Sequence, residues 1–353
     1  MKNLKSKILF GALYIVSASL FAQQPYYNGV NFSLTGNALK TELANKITTT
    51  HTNQLSYSNV WNELKITDLD PSNSSNVLLL YGYNDSDGSV VNDRTRSKNS
   101  NGGNNGEWNR EHTFAQSLAT PNMTTSSPNA GTDAHHLRAS DVQMNGNRGN
   151  RKFATGSGNA GNVGSNWYPG DEWKGDVARM MMYMYLRYPT QCKPIGVGTG
   201  STVATDASMI TLFLEWNAQD PVSTYEQQRN TRLQSSQGNR NPFIDNPYLA
   251  TIIWGGTAAQ DFWPNLSVED RNIENSFTVY PTPSSNGNIH VFFDYNEEVK
   301  SLAVYNVSGQ IVKMINNPLF EDNEFIINDL SDGLFVLKAI IGNNVLTKKV
   351  IVN

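Results

Sequence analysis

Between Trp263 and Ser276 the chain reads WPNLSVEDRNIENS, a polar stretch without hydrophobic period, and the patterns on its two sides differ in kind. Beyond it, IHVFFDY, LAVYNVSGQIVKMI, EFIINDL, LFVLKAII and VLTKKVIVN alternate apolar with polar residues and are separated by Gly, Asn or Ser turns. Five or six such short runs in succession predict a small β-sandwich, because period-two patterning buries one face of a strand. Before the stretch the apolar residues instead recur at helical spacing between long polar loops. Two folding units are therefore expected, residues 23–262 and 276–353, with 263–275 as the linker; the length is ample for two cores.

In the first unit LKTELANKI predicts a helix, and Val77 to Tyr83 (VLLLYGY), followed by a turn at Asn84 to Gly88, predicts a strand. KNSNGGNNG (Lys98 to Gly106), Pro121 to Thr132 and Thr155 to Asn166 read as loops. Asp171 is placed to cap a helix starting near Lys174, in which Val177, Ala178, Met181, Met184 and Tyr185 repeat at helical spacing. Further helices are expected from about Ala207 to Trp216 and from Asp220-Pro221 to just before Gly238, the latter with Ser223 and Glu226 at capping-box spacing. Trp108, Trp167, Trp173, Trp216 and Trp254 read as core. The fold class is α+β.

Residues 1–22 carry Lys2, Lys5 and Lys7, an apolar run from Ile8 to Phe21 and then Ala22, the pattern of a secretory signal peptide with too short an apolar run for a comfortable membrane span. No later stretch is long and apolar enough to span a bilayer. Cys192 is the one cysteine, so no disulfide can form within the chain, and a structural zinc site, which typically takes four Cys or His ligands, is not expected. Cys192 reads as a buried apolar residue.

The chemistry concentrates in two segments, EWNREHTFAQS from Glu107 and DAHHLRASDVQMNGNRGNRK from Asp133. Carboxylate, imidazole and amide are the groups that hard-cation hydrolysis of a phosphodiester needs: oxygen ligands for the metal and a base for water. Arg138, Arg148, Arg151 and Lys152 crowd a segment whose one acid is Asp141, in a chain of net charge −4. A guanidinium fork suits phosphate geometry, so Arg148 is the first candidate to hold the scissile phosphate, with Arg138 a second and Arg110 a weaker one. His135 and His136 read as structural.

W-N-R-E-H followed by D-x-H-H-L-R and N-G-x-R-G-N resembles the bacterial endonuclease I family, and the likeness runs from about residue 50 to 255. The resemblance implies a secreted or periplasmic, magnesium-dependent, nonspecific nuclease with a ββα-metal (His-Me finger) site, backed by helices. Carried over position by position, Glu111 and Asn145 ligate the metal and His112 is the general base, giving 5′-phosphate ends. Magnesium is the expected ion, with manganese or calcium alternatives in the same site. Ser140 to Asn150 would be the finger helix, although Asn145, Gly146, Asn147, Gly149 and Asn150 are poor helix formers. Thr113-Phe114-Ala115-Gln116 and Ala139 replace prolines common in the family.

The C-terminal segments VYPTPSSNGNIHV, VYNVSGQIV, LSDGLFVLKAI and TKKVIVN resemble the type A sorting domain of the type IX secretion system. That resemblance implies export to the exterior or cell surface, with the secretion machinery as partner. Acids outnumber bases there, which disfavours a role in nucleic-acid binding. DNA, and RNA as an alternative, is the expected substrate of a monomer. The rival readings are an RNA-preferring nuclease, another secreted phosphodiesterase, or a surface protein that binds nucleic acid without turnover.

Overall fold

The computed structural model describes residues 25–263, 276–294, 298–341 and 344–353. The segment expected as a signal peptide and nearly all of the expected linker lie outside the described residues. The chain divides after Trp263 into two compact units. The first mixes helices with short hairpins and the second is all β, so the protein is α+β.

The expected first helix spans Gly36–Thr49, and Leu39, Leu43 and Ile47 bury one stripe of it. Tyr57–Thr67 is a further helix that no sequence signal above anticipated, capped by the Ser56 hydroxyl accepting from the Asn59 amide. The apolar run VLLLYGY forms a strand only at its start, within Asn73–Leu78. The chain then leaves the sheet, and Tyr81 takes φ +75°, a conformation that costs a non-glycine residue about 1–3 kcal/mol and tends to mark functional sites.

The helix Lys174–Arg187 buries Met180, Met181, Met182 and Met184. Its N-cap is Trp173, without a side-chain cap. Asp171 was the expected cap, but its carboxylate accepts instead from the Gly158 amide at 2.7 Å and from the Tyr168 hydroxyl. The helix expected from Ala207 begins later, at Thr211–Gln219, because Asp206–Ile210 pairs with Thr202–Val203 as a hairpin. Thr224–Gln237 has the capping box of Ser223 and Glu226, and Gly238 ends it in the left-handed conformation at φ +92°. The start lies past Asp220-Pro221. All five tryptophans read as core are buried.

In the second unit, Phe277–Tyr280, Ile289–Phe293 and Glu324–Ile327 form one antiparallel sheet, and Ile311–Asn316, Val299–Asn306, Gly333–Ile341 and Asn344–Val352 form another. One core cluster draws on both, with Val291, Leu302, Leu337 and Val350 fully buried. Among the described residues no helix is long and apolar enough to cross a membrane.

Candidate active site

Trp108–His112 and Leu137–Asp141 pair as an antiparallel two-stranded ribbon, with Glu111 opposite Arg138 and His112 opposite Leu137. The helix Val142–Arg148 follows without a break. Its residues are poor helix formers, but the Asp141 carboxylate accepts from the amides of Gln143 and Met144 at 2.8 and 2.9 Å, and Gly149 closes the helix at φ +55°. Capping at both ends thus offsets weak propensity. The helix is shorter than the expected 140–150 because Ser140 and Asp141 still belong to the strand.

A lone two-stranded ribbon is marginal in water, and this one is held from outside. The Leu80 amide donates to the Ala139 carbonyl at 2.8 Å, the Ser140 hydroxyl donates to the Leu80 carbonyl, and Arg229 donates to the carbonyls of Ala134 and Leu137. The ribbon and helix together frame a cleft of about 340 Å³ lined by Arg110, Glu111, His112, Gln116, Asn145 and Arg148 among others.

Glu111 is 2 % exposed, and its Oε1 accepts from the Tyr81 hydroxyl at 2.9 Å and from Arg148 Nη1 at 3.1 Å. Burial pushes its carboxyl up to about 7, and the Arg148 guanidinium and Tyr81 hydroxyl only partly oppose this. Asn145 donates from Nδ2 to Asn109 Oδ1 at 2.7 Å, which commits the amide nitrogen and leaves the carbonyl oxygen as the group available to a ligand. These residues fit a hard divalent cation: two oxygen donors line one cleft, and one is a buried carboxylate whose Oε1 is held by Tyr81 and Arg148. No cluster of three or more His, Cys, Asp or Glu placed to hold a metal occurs among the described residues. Water and substrate oxygens would complete the coordination, as is usual for magnesium.

His112 Nε2 lies 2.9 Å from the Gly131 carbonyl. A carbonyl cannot donate, so Nε2 carries the hydrogen and Nδ1 keeps its lone pair. The Gln116 amide nitrogen, 2.9 Å from Nε2 and 3.4 Å from Nδ1, can donate only to Nδ1, over a long contact. Burial, followed by the His136 ring, pushes the imidazole down to about 3. The residue is thus a neutral base of fixed tautomer near neutral pH. The Tyr57 ring lies beside it, 5.5 Å between centroids.

The arginines are placed differently from what guanidinium chemistry alone suggested. Arg148 borders the cleft, but it is 0 % exposed and donates to Glu111 and to the carbonyls of His112 and Thr113 at 2.9–3.1 Å. Arg138 does not line the cleft. It is 1 % exposed and ion-paired with Asp68 at 3.1 Å and Asp176 at 3.2 Å, over the rings of Tyr225 and Trp173. Replacing Arg138 with methionine would leave Asp68 to Arg229 and Asp176 to Arg179 at 3.9 Å, and we expect stability to fall by about 3 kcal/mol, read from urea unfolding; an unchanged midpoint would refute this bracing role. Arg151 and Lys152 bond backbone carbonyls at Asn147 and Ile195.

His135 and His136 are buried, with Nε2 on Asn239 and on the Ala130 carbonyl respectively. Both are structural in this arrangement. Tyr81 was missed because its run reads as a plain strand. The polar tip ending an otherwise apolar run was the available signal, since a buried tyrosine hydroxyl usually finds a partner. Gln116, Asn109 and Tyr57 carried no such signal.

The Endonuclease I family profile matches residues 35–248, and a secretion system C-terminal sorting domain profile matches 278–353. An extracellular ribonuclease of Bacillus subtilis (strain 168) is 44 % identical over 240 residues, covering 65 % of this chain and 78 % of its own length. An extracellular ribonuclease of Bacillus amyloliquefaciens is 43 % identical over 230 residues, 62 % and 74 % of the two chains. A periplasmic deoxyribonuclease of Aeromonas hydrophila is 29 % identical over 124 residues, 32 % and 47 % of the two chains.

Proposed function

The chain belongs to the endonuclease I family and ends in a secretion-system sorting domain, and on that premise we propose that it is an exported, magnesium-dependent, sequence-nonspecific nuclease of DNA and RNA. As a family member it is a hydrolase of nucleic acids, and divalent-metal dependence is general in the family. The finer reading rests on one observation: Glu111, His112 and Asn145 converge on a single cleft, with His112 neutral and its Nδ1 lone pair free of a strong partner. A two-stranded ribbon followed by a short helix, with these three residues on one cleft, supports the ββα-metal reading.

Glu111 and Asn145 would hold the cation, and Arg148 with Tyr81 fixes the carboxylate. When bound, the cation supplies charge stabilisation at the phosphate and the departing 3′ oxygen. His112 Nδ1 accepts the proton of the attacking water while the Gly131 carbonyl keeps the ring in register. The product keeps a 5′-phosphate. Residues 1–22 serve as the signal peptide, and the second unit directs export through type IX machinery.

RNA as a principal substrate is favoured by the two ribonuclease relatives, each over 40 % identical. Plasmid DNA and a structured RNA, each incubated with the mature full chain plus magnesium or chelator, test the proposal. We expect both to be degraded only with magnesium, giving ends that ligase can join without kinase treatment. Cleavage that persists in excess chelator would remove the metal from the mechanism. Degradation of RNA alone would narrow the substrate.

A further inference from the structure

Two guanidinium groups border the cleft, in opposite circumstances. Arg148 is held by a carboxylate: Glu111 and two carbonyls take donors from its two Nη atoms, and its Nε, like that of Arg110, is buried without a partner. Arg110 sits half-buried with its guanidinium carbon 3.5 Å from the Tyr57 ring centroid and 4.1 Å from that of Trp61. Trp61 is backed in turn by Trp108, 5.4 Å between centroids. One donor, Nη1, goes to the Tyr57 carbonyl. Nε is buried and has no partner. No carboxylate pairs with Arg110 among the described residues, where Arg94, Arg96, Arg138, Arg148, Arg179, Arg229 and Arg240 each have one.

A cation without a counter-anion, bordering a cleft whose one acid is already paired to Arg148, leaves an unbalanced positive charge. Two aromatic rings within 3.5–4.1 Å of its central carbon hold the guanidinium, so little rotamer freedom is lost when an anion binds. Arg110 and His112 are two apart on one strand and share a face, and Tyr57 touches both.

We propose that Arg110, clamped by Tyr57 and Trp61, is the side chain that binds a backbone phosphate of the strand lying in the cleft, and that Arg148 is a positioning residue for Glu111. The proposal rests on the nuclease reading above.

Binding of labelled single-stranded and duplex oligonucleotides to the full-chain His112→Ala protein in magnesium, across a salt series, tests it. Adding Arg110→Met should weaken binding about tenfold or more and reduce the slope of log Kd against log salt by about 0.9 for duplex and about 0.7 for single strands. Arg110→Lys should keep the slope and lose part of the affinity, because charge remains and the clamped fork does not. Arg232→Met should change neither, since Arg232 bonds the Ile66 carbonyl and does not line the cleft. If Arg110→Met does not fold, Arg110→Gln gives the slope. An unaltered slope in a folded, uncharged variant overturns the proposal. A wild-type protein that binds with the expected slopes but cuts nothing would instead overturn the nuclease reading.

Discussion

Changing His112 to alanine is expected to lower kcat by about two to four orders of magnitude, the usual worth of a positioned general base, while the affinity for nucleic acid stays near wild type. The argument is geometric first. The Gly131 carbonyl fixes the hydrogen on Nε2, so the basic nitrogen is Nδ1, and no carboxylate or backbone donor competes for it. The electrostatics agree. A histidine pushed down to about 3 by burial is neutral throughout the range where an exposed imidazole titrates. His112 should therefore add no acid limb near the ordinary imidazole value of about 6.5; a limb near 7 belongs to Glu111, whose carboxyl must ionise to take the cation, and persists in the variant. The same shift has a consequence for stability. The unfolded chain binds a proton at about 6.5 that the folded chain refuses until near 3, so this histidine's contribution is full above 6.5 and declines as pH falls toward the folded value. Measured single-turnover rates across pH decide the matter; a variant within tenfold of wild type would move the base elsewhere.

Glu111→Gln should be nearly as damaging, by a different route. The amide keeps the shape and an acceptor for Tyr81 and Arg148 but removes the one charged oxygen donor of the cleft. Loss of several kcal/mol of metal-assisted stabilisation corresponds to at least about a hundredfold in rate. Magnesium should raise the melting temperature of the wild type by binding only the folded state and leave the variant's unmoved. Without metal, the variant leaves Arg148 a buried guanidinium with no carboxylate, which costs about 3–5 kcal/mol. Magnesium-dependent stabilisation retained in Glu111→Gln would refute its role as ligand.

What could be read from the chain, and what could not, divides along physical lines. Glu111, His112 and Asn145 were singled out through the family resemblance, which matches motif residues position by position, and they do line one cleft; the capping box at Ser223 and Glu226 and the buried methionine helix were legible because their spacing is local. The fate of each arginine was not. Arg138 finds Asp68 and Asp176 at separations of 70 and 38 residues, and no local pattern distinguishes a guanidinium that braces a core from one that faces a cleft. Tyr81 was hidden for the same reason, since its partner lies 30 residues on. Asp171 shows a local rule yielding to other partners, the Gly158 amide and the Tyr168 hydroxyl.

The support of the ribbon from outside also sets when an active enzyme can exist. Every residue that borders the cleft lies between Arg110 and Asn150, yet the groups that hold the ribbon in place include Asp176 and Arg229, made later in the chain. A polypeptide still growing past Asn150 therefore owns all of the cleft-lining side chains but not the Asp176 and Arg229 contacts that hold the ribbon. An active cleft is expected to wait until those later segments are made and docked.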